Sequence, residues 1–329
     1  MTPGTKRLAA LLAAGALALS LAAPAVAQTL RLNHNLPEDT VTGQAFNFFA
    51  ARVGELSGGS LRVRVFHAGQ LGGQRESMEL VQQGALDMAK TNTAELEAFD
   101  PNFAVFNLPY IFTSQDHAAA VLRGPMAQGL LDATAPRGFV GLGYLFEGAR
   151  SFYTVRPAAS LADLAGLRIR VQPSPSAIRM VELLGAQPTP IAFGELYSAL
   201  QQGVVDGAEN NVSALTHTRH GEVARHFMRN EHTMIPAVYV ISTQVWDRLS
   251  EAQRAILRQA AAETFEHGLA AWTADMAVQE AAATAIGVTI SDVDRQPFID
   301  ALAPMITEAV AANPALGPLV EAIRATPVP

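Results

Sequence analysis

The chain has 329 residues, 23 basic against 30 acidic side chains, a formal net charge of −7 and no cysteine. The absent cysteine excludes disulfides, thiolate catalysis, Cys-ligated zinc and lipoprotein attachment. The acidic balance, with no long basic run, argues against nucleic acid or an anionic membrane surface as partner.

Lys6 and Arg7 precede an apolar run from Leu8, and Ala25-Val26-Ala27 offers a small-x-small cleavage site. That pattern predicts a secretory signal peptide over residues 1–27, because the run is shorter than the roughly 20 residues a spanning helix needs. The expected destination is the periplasm. Thr29–Asn33 alternates apolar and polar residues and reads as a strand. Residues 43–57 read as an amphipathic helix, with Phe46, Phe49, Ala50 and Val53 at helical spacing and Gly58-Gly59 as the stop. Leu61–Phe66 alternates again, residues 74–83 read as a helix closed by Gly84, and Ala85–Ala89 reads as the next strand. This β-α-β-α-β order predicts a mostly parallel sheet covered by helices.

A second series starts near residue 150. Ser151–Val155 and Arg168–Gln172 read as strands, residues 176–184 and 194–202 as helices, and Thr189–Ile191 as a short extended piece. From Ser250 a capping box with Gln253 opens a run of helix formers reaching about residue 285. At 1.5 Å per residue that helix is about 50 Å long, more than one small lobe, so it should lie across two, with a kink expected at Gly268. Residues 297–329 read as helical, then Pro-rich and frayed. The expected fold is α/β with two lobes joined by crossing strands near residues 145–152 and 233–242. Residues 28–147 with 236–275 would form lobe I, and 148–235 with 276–329 lobe II.

Motifs for chemistry are few. The chain has no phosphate loop and no nucleophile elbow, and Gly141-Leu-Gly143 lacks the third glycine of a dinucleotide fingerprint. His217, His220 and His226 lie close in sequence without the Asp, Glu or Cys that would complete a metal set, so no metal or cofactor is expected. Asp163, Asp206 and Glu209 are conceivable acid–base groups, but nothing places a nucleophile beside them, and no enzymatic activity is expected.

Residues 150–211 carry a resemblance. With Asn33–Asn35, Gly69–Gly73, Val105–Tyr110, Pro188–Pro190, Glu195–Gly203 and Val205–Gly207 in order, the chain is similar to the extracytoplasmic substrate-binding subunit of tripartite ATP-independent periplasmic (TRAP) transporters, the DctP-type proteins. The resemblance implies a two-lobed periplasmic-binding-protein fold, type II-like, with hinge strands and the long helix spanning both lobes, and a monomer that captures a small organic acid and hands it to the small and large permease subunits, without ATP. It puts the family's carboxylate-clamping arginine on Arg170; a guanidinium can offer two parallel N–H groups to a carboxylate. It also implies Arg150 as a second arginine, Asn210 as the amide completing the carboxylate shell and Phe193 as an aromatic over the ligand. The segments Arg150–Thr154 and Val205–Asn211 resemble the branch that binds sugar acids: uronates such as glucuronate and galacturonate, or diketogulonate-like acids. For the hydroxyls of such a ligand the expected partners are Glu209, Asn211, Lys90, Asn92, Gln172 and Glu76, with Asn35 in the same set. A C4-dicarboxylate is the alternative ligand. A periplasmic sugar-acid enzyme and a sensory binding protein are the alternatives of another class.

Overall fold

The computed structural model describes residues 27–328, so the signal-peptide expectation lies, apart from Ala27, outside the described residues. The strands are β1 (Gln28–Asn33), β2 (Leu61–Phe66), β3 (Met88–Asn92), β4 (Phe139–Leu145), β5 (Arg150–Thr154), β6 (Arg168–Val171), β7 (Gln187–Pro190), β8 (Gly207–Asn210), β9 (His226–Thr233), β10 (Ala237–Ser242) and β11 (Thr289–Asp292). They form two sheets, in the orders β2-β1-β3-β10-β4 and β11-β9-β5-β8-β6-β7. In the first, β1 pairs parallel with β2 and β3, and β10 is inserted antiparallel between β3 and β4. In the second, β6 pairs parallel with β7 and β8, and β5 is antiparallel to both β8 and β9. The chain crosses between the sheets three times, at 146–149, at 234–236 and through the helix Glu251–Ala285 between β10 and β11.

Each sheet is covered because each helix has one apolar face. In the helix Val41–Leu56, Phe46, Phe49 and Val53 are fully buried and pack with Leu30, Leu32 and Tyr239. Burying such a side chain contributes about 1.5–3 kcal/mol. Thr40 caps that helix by accepting from the Gly43 N–H at 3.0 Å. Behind the second sheet, Leu196, Leu200 and Leu215 close on Tyr153 and Phe227.

The helix Glu251–Ala285 is held at its start by the expected capping box, with Gln253 N donating to Ser250 Oγ and Ser250 N to Gln253 Oε1. It packs on the helix Val41–Leu56 and β4 of the first sheet, and on residues 213–217 and β11 of the second. It thus spans both lobes. The helix continues without interruption through Gly268. The glycine serves close packing, since a Cβ there would stand 3.2 Å from Leu145 Cδ2. Two expectations change. The third strand is Met88–Asn92 rather than 85–89, because Ala85 N and Leu86 N still bond back to Leu80 O and finish the preceding helix. The chain end is a docked helix, Leu316–Ala325, with Leu316, Val320 and Ile323 buried against the 101–107 turn, rather than a frayed tail.

Gly148 in the first crossing has φ +76°, a region L side chains avoid. A Cβ there would collide with the Trp272 indole on the long helix. Gly148→Ala should therefore lower stability by about 1–3 kcal/mol, read as a reduced Tm in thermal unfolding; an unchanged Tm would mean the crossing relaxes freely.

Candidate functional site

The parallel strands end on the same side as the crossings, and their carboxyl ends open into the cleft between the sheets, where open α/β sheets place ligands. The cleft is lined by Asn35 after β1, Lys90 and Asn92 on β3, Glu147 after β4, and Arg150 on β5. Arg170 and Gln172 at the end of β6, Phe193, and Asn210 and Asn211 at the end of β8 complete it. Nine of the eleven site residues expected from sequence lie there.

Charge in the cleft is arranged in three groups. Lys90 is 2% exposed; its Nζ lies 3.0 Å from Glu147 Oε1 and donates to Asn92 Oδ1 at 3.0 Å. Asn92 Nδ2 donates to Glu147 Oε2 at 2.6 Å and Thr42 Oγ1 to Glu147 Oε1 at 2.9 Å, so this carboxylate is saturated. Arg150 forms the second group. Its Nε and Nη2 donate to the two Glu209 carboxylate oxygens at 2.6 and 2.8 Å, and Nη1 donates to Asn210 Oδ1 at 2.7 Å. Burial pushes the Glu209 carboxyl up, but the adjacent Arg150 and His232, 3.5 Å away, outweigh it and hold it at about 2.

Arg170 is the third group. It is fully buried. Its Nε donates to Ile191 O at 2.8 Å, and the guanidinium lies over the Phe193 ring, 5.8 Å from its centroid. Nη1 and Nη2 have no hydrogen-bond partner among the described residues. Burial holds its pKa below the usual arginine value, although a guanidinium stays charged in proteins. Glu95 faces it from the first lobe, but burial raises that carboxyl toward its neutral form. Arg150 and Lys90 each have an anion in contact; Arg170 has none among the described residues. Gln172 Oε1 and Asn35 Oδ1 are likewise buried and unpaired. A desolvated cation with two parallel N–H groups, beside an aromatic face and amide acceptors, matches one carboxylate with polar substituents.

Three of the expected residues have other partners or positions in the fold. Glu209 sits behind Arg150 with both oxygens spent on it, so it orients the arginine. Asn211 is spent on the fold, donating to Glu147 O and accepting from Ser213 Oγ. Glu76 is exposed on the outward face of its helix and lines a neighbouring groove with Gln74, Glu95 and Phe193. Arg168, on the same strand as Arg170, pairs with Asp206 at 2.7 Å. Of the three histidines weighed for metal, His220 is buried against Phe193 and meets Tyr153 Oη at 2.8 Å through Nδ1. Burial, helped by Arg170, holds it neutral, with its pKa down at about 3.

Sequence reasoning missed Glu147, Gln74, Trp272 and His232. Glu147 and Gln74 carry no pattern of their own; each is defined by partners 57 and 18 residues away. His232 is delivered by a bulge: Arg150 pairs with Thr233 and Phe152 with Met228, so β9 carries extra residues, with Glu231 at φ +47°. The ring stacks on Phe152 and lies beneath Glu209.

Residues 32–313 match the sequence model of "Bacterial extracellular solute-binding protein, family 7", DctP. A TRAP periplasmic solute-binding protein from Bradyrhizobium sp. BTAi1, solved in complex with α/β-D-galacturonate, is 38% identical. The match covers 90% of this chain and 99% of that one, with a TM-score of 0.88. A TRAP periplasmic solute-binding protein from Anaerococcus prevotii, solved with bound α/β-D-glucuronate, is 34% identical over 90% and 97% of the two chains, with a TM-score of 0.87. The C4-dicarboxylate-binding periplasmic protein DctP of Rhodobacter capsulatus is 32% identical over 79% of each chain.

Proposed function

The chain belongs to the DctP family of bacterial extracellular solute-binding proteins, the TRAP-type solute-binding proteins, and we propose that it captures a uronate such as galacturonate or glucuronate for a membrane permease. The observation that carries this reading is Arg170: fully buried, without an ion pair among the described residues, and with two N–H groups unsatisfied. A ligand carboxylate would satisfy both in a bidentate contact, each charge-assisted bond contributing about 1.5–3 kcal/mol. Phe193 would cover the sugar face, and Gln172, Asn35 and the Lys90–Asn92–Glu147 cluster would meet hydroxyls. The solved relatives with bound galacturonate and glucuronate support the choice of acid.

Capture and release follow from the two short crossings. A ligand touching Arg170 on the second sheet and Lys90 on the first favours the closed arrangement, because only there does it make both sets of contacts. The closed chain would then dock on the permease subunits that the family implies. We propose that the ligand leaves unchanged and that the chain works as a monomer in the periplasm after removal of residues 1–27. No helix among the described residues is long and apolar enough to cross a membrane.

Thermal-shift screening is the test. At 100 times its Kd, D-galacturonate or D-glucuronate should add about 2.7 kcal/mol of stability and be recovered unaltered. A response to succinate or malate alone would overturn the uronate assignment, and conversion to product would overturn the binding-protein reading.

A further inference from the structure

We infer that Trp272 and Asp275 on the long helix form a hydroxyl-reading pair that makes the cleft selective for a mono-acid over a diacid. The inference rests on the uronate reading above and adds to it the residues that discriminate.

Trp272 is 5% exposed and lines the cleft, yet its indole Nε1 has no hydrogen-bond partner among the described residues. An indole N–H is only a donor, so it calls for an acceptor from the ligand. The ring is fixed. Its Cζ2, Cε2 and Nε1 atoms lie against Gly148, where any side chain would collide with them, and Phe146 meets the ring edge-on with centroids 6.3 Å apart. Asp275 follows three residues later, on the same helix face, and also lines the cleft. Its Oδ1 is held by Gln279 Nε2 at 2.9 Å, and Gln279 is held in turn by Thr216. The pair therefore offers the cleft one donor and one acceptor, and a ligand hydroxyl seated between them would accept from Trp272 and donate to Asp275. A carboxylate has no proton to give and meets Asp275 with like charge. Galacturonate has one carboxylate for Arg170 and hydroxyls elsewhere; its diacid counterpart, galactarate, has a carboxylate at each end.

Calorimetric titration of wild type, Trp272→Phe and Asp275→Asn with D-galacturonate and galactarate tests this. Trp272→Phe keeps an aromatic on Gly148 and should weaken galacturonate about three- to tenfold, the loss of one neutral hydrogen bond. Asp275→Asn should lower the galacturonate-to-galactarate affinity ratio by about tenfold or more. Trp246 is the only other tryptophan, so in Trp246→Phe all indole emission comes from Trp272 and should shift on adding galacturonate. That last readout holds even if Trp272→Phe folds poorly. Tight uronate binding with an unchanged ratio in Asp275→Asn and no emission shift in Trp246→Phe would overturn the pair while leaving the uronate reading intact. A folded wild type that binds no uronate overturns both.

Discussion

Replacing Arg170 with alanine should cost about 2–5 kcal/mol of uronate binding, as truncating one partner of a buried, hydrogen-bonded charge pair does. At 1.4 kcal/mol per decade this is roughly a 30- to several-thousand-fold rise in Kd. The same substitution should leave the Tm of the ligand-free chain nearly unchanged or raise it. Arg170 keeps a charge in a dry cleft with one hydrogen bond to Ile191 O and no contacting anion among the described residues, and an unpaired buried charge opposes folding. Loss of binding without loss of stability is the signature of a residue placed for its ligand. Arg170→Lys should rescue little, since an ammonium cannot make the two parallel N–H contacts.

Replacing Glu209 with glutamine should do the opposite: destabilise the fold first, by about 3–5 kcal/mol, because Arg150 is left buried without its counter-charge. Two of its guanidinium nitrogens now donate to that carboxylate. The pH dependence follows from the same pair. Folding lowers the Glu209 pKa from 4.5 to about 2, so its contribution is fully present above pH 4.5 and is lost as pH falls through about 2. That difference is worth about 3 kcal/mol. His34 and His220 act in the same direction. Burial holds both near 3 against 6.5 unfolded, so the unfolded chain binds more protons below pH 6.5 and stability falls as pH drops from 6.5 toward 3. Denaturant unfolding of wild type and Glu209→Gln between pH 7 and 2 checks this. The variant should start less stable at pH 7 and lose less below pH 4.5; parallel curves would mean that Glu209 does not carry the acid sensitivity.

Much of this was legible in the sequence because local patterns decide it. The alternation in Leu61–Phe66, the 3–4 spacing of Phe46, Phe49 and Val53, and the Ser250–Gln253 capping box each fix an element with no long-range help. Arg170 was legible only through the resemblance, since composition alone would leave an arginine on the surface. What stayed hidden depends on distant pairing. Glu209 reads as a ligand contact in the string GAEN, yet its carboxylate is taken by an arginine 59 residues away. Glu147 gains its role from Lys90, 57 residues upstream. Gly268 reads as a kink because glycine weakens helices; that its small size also leaves room for Leu145 depends on the fold. The Pro-rich end reads as frayed, but its three buried apolar residues dock it as a helix.

The central claim, a uronate carboxylate held by Arg170, is tested most directly by calorimetric titration of D-galacturonate into wild type and Arg170→Ala, with D-galactose as the neutral control. Wild type should give a one-to-one exothermic isotherm with galacturonate, the variant at least a 30-fold weaker one, and galactose no heat with either. Equal galacturonate affinity in the two proteins, or galactose binding as tightly as galacturonate, would contradict it.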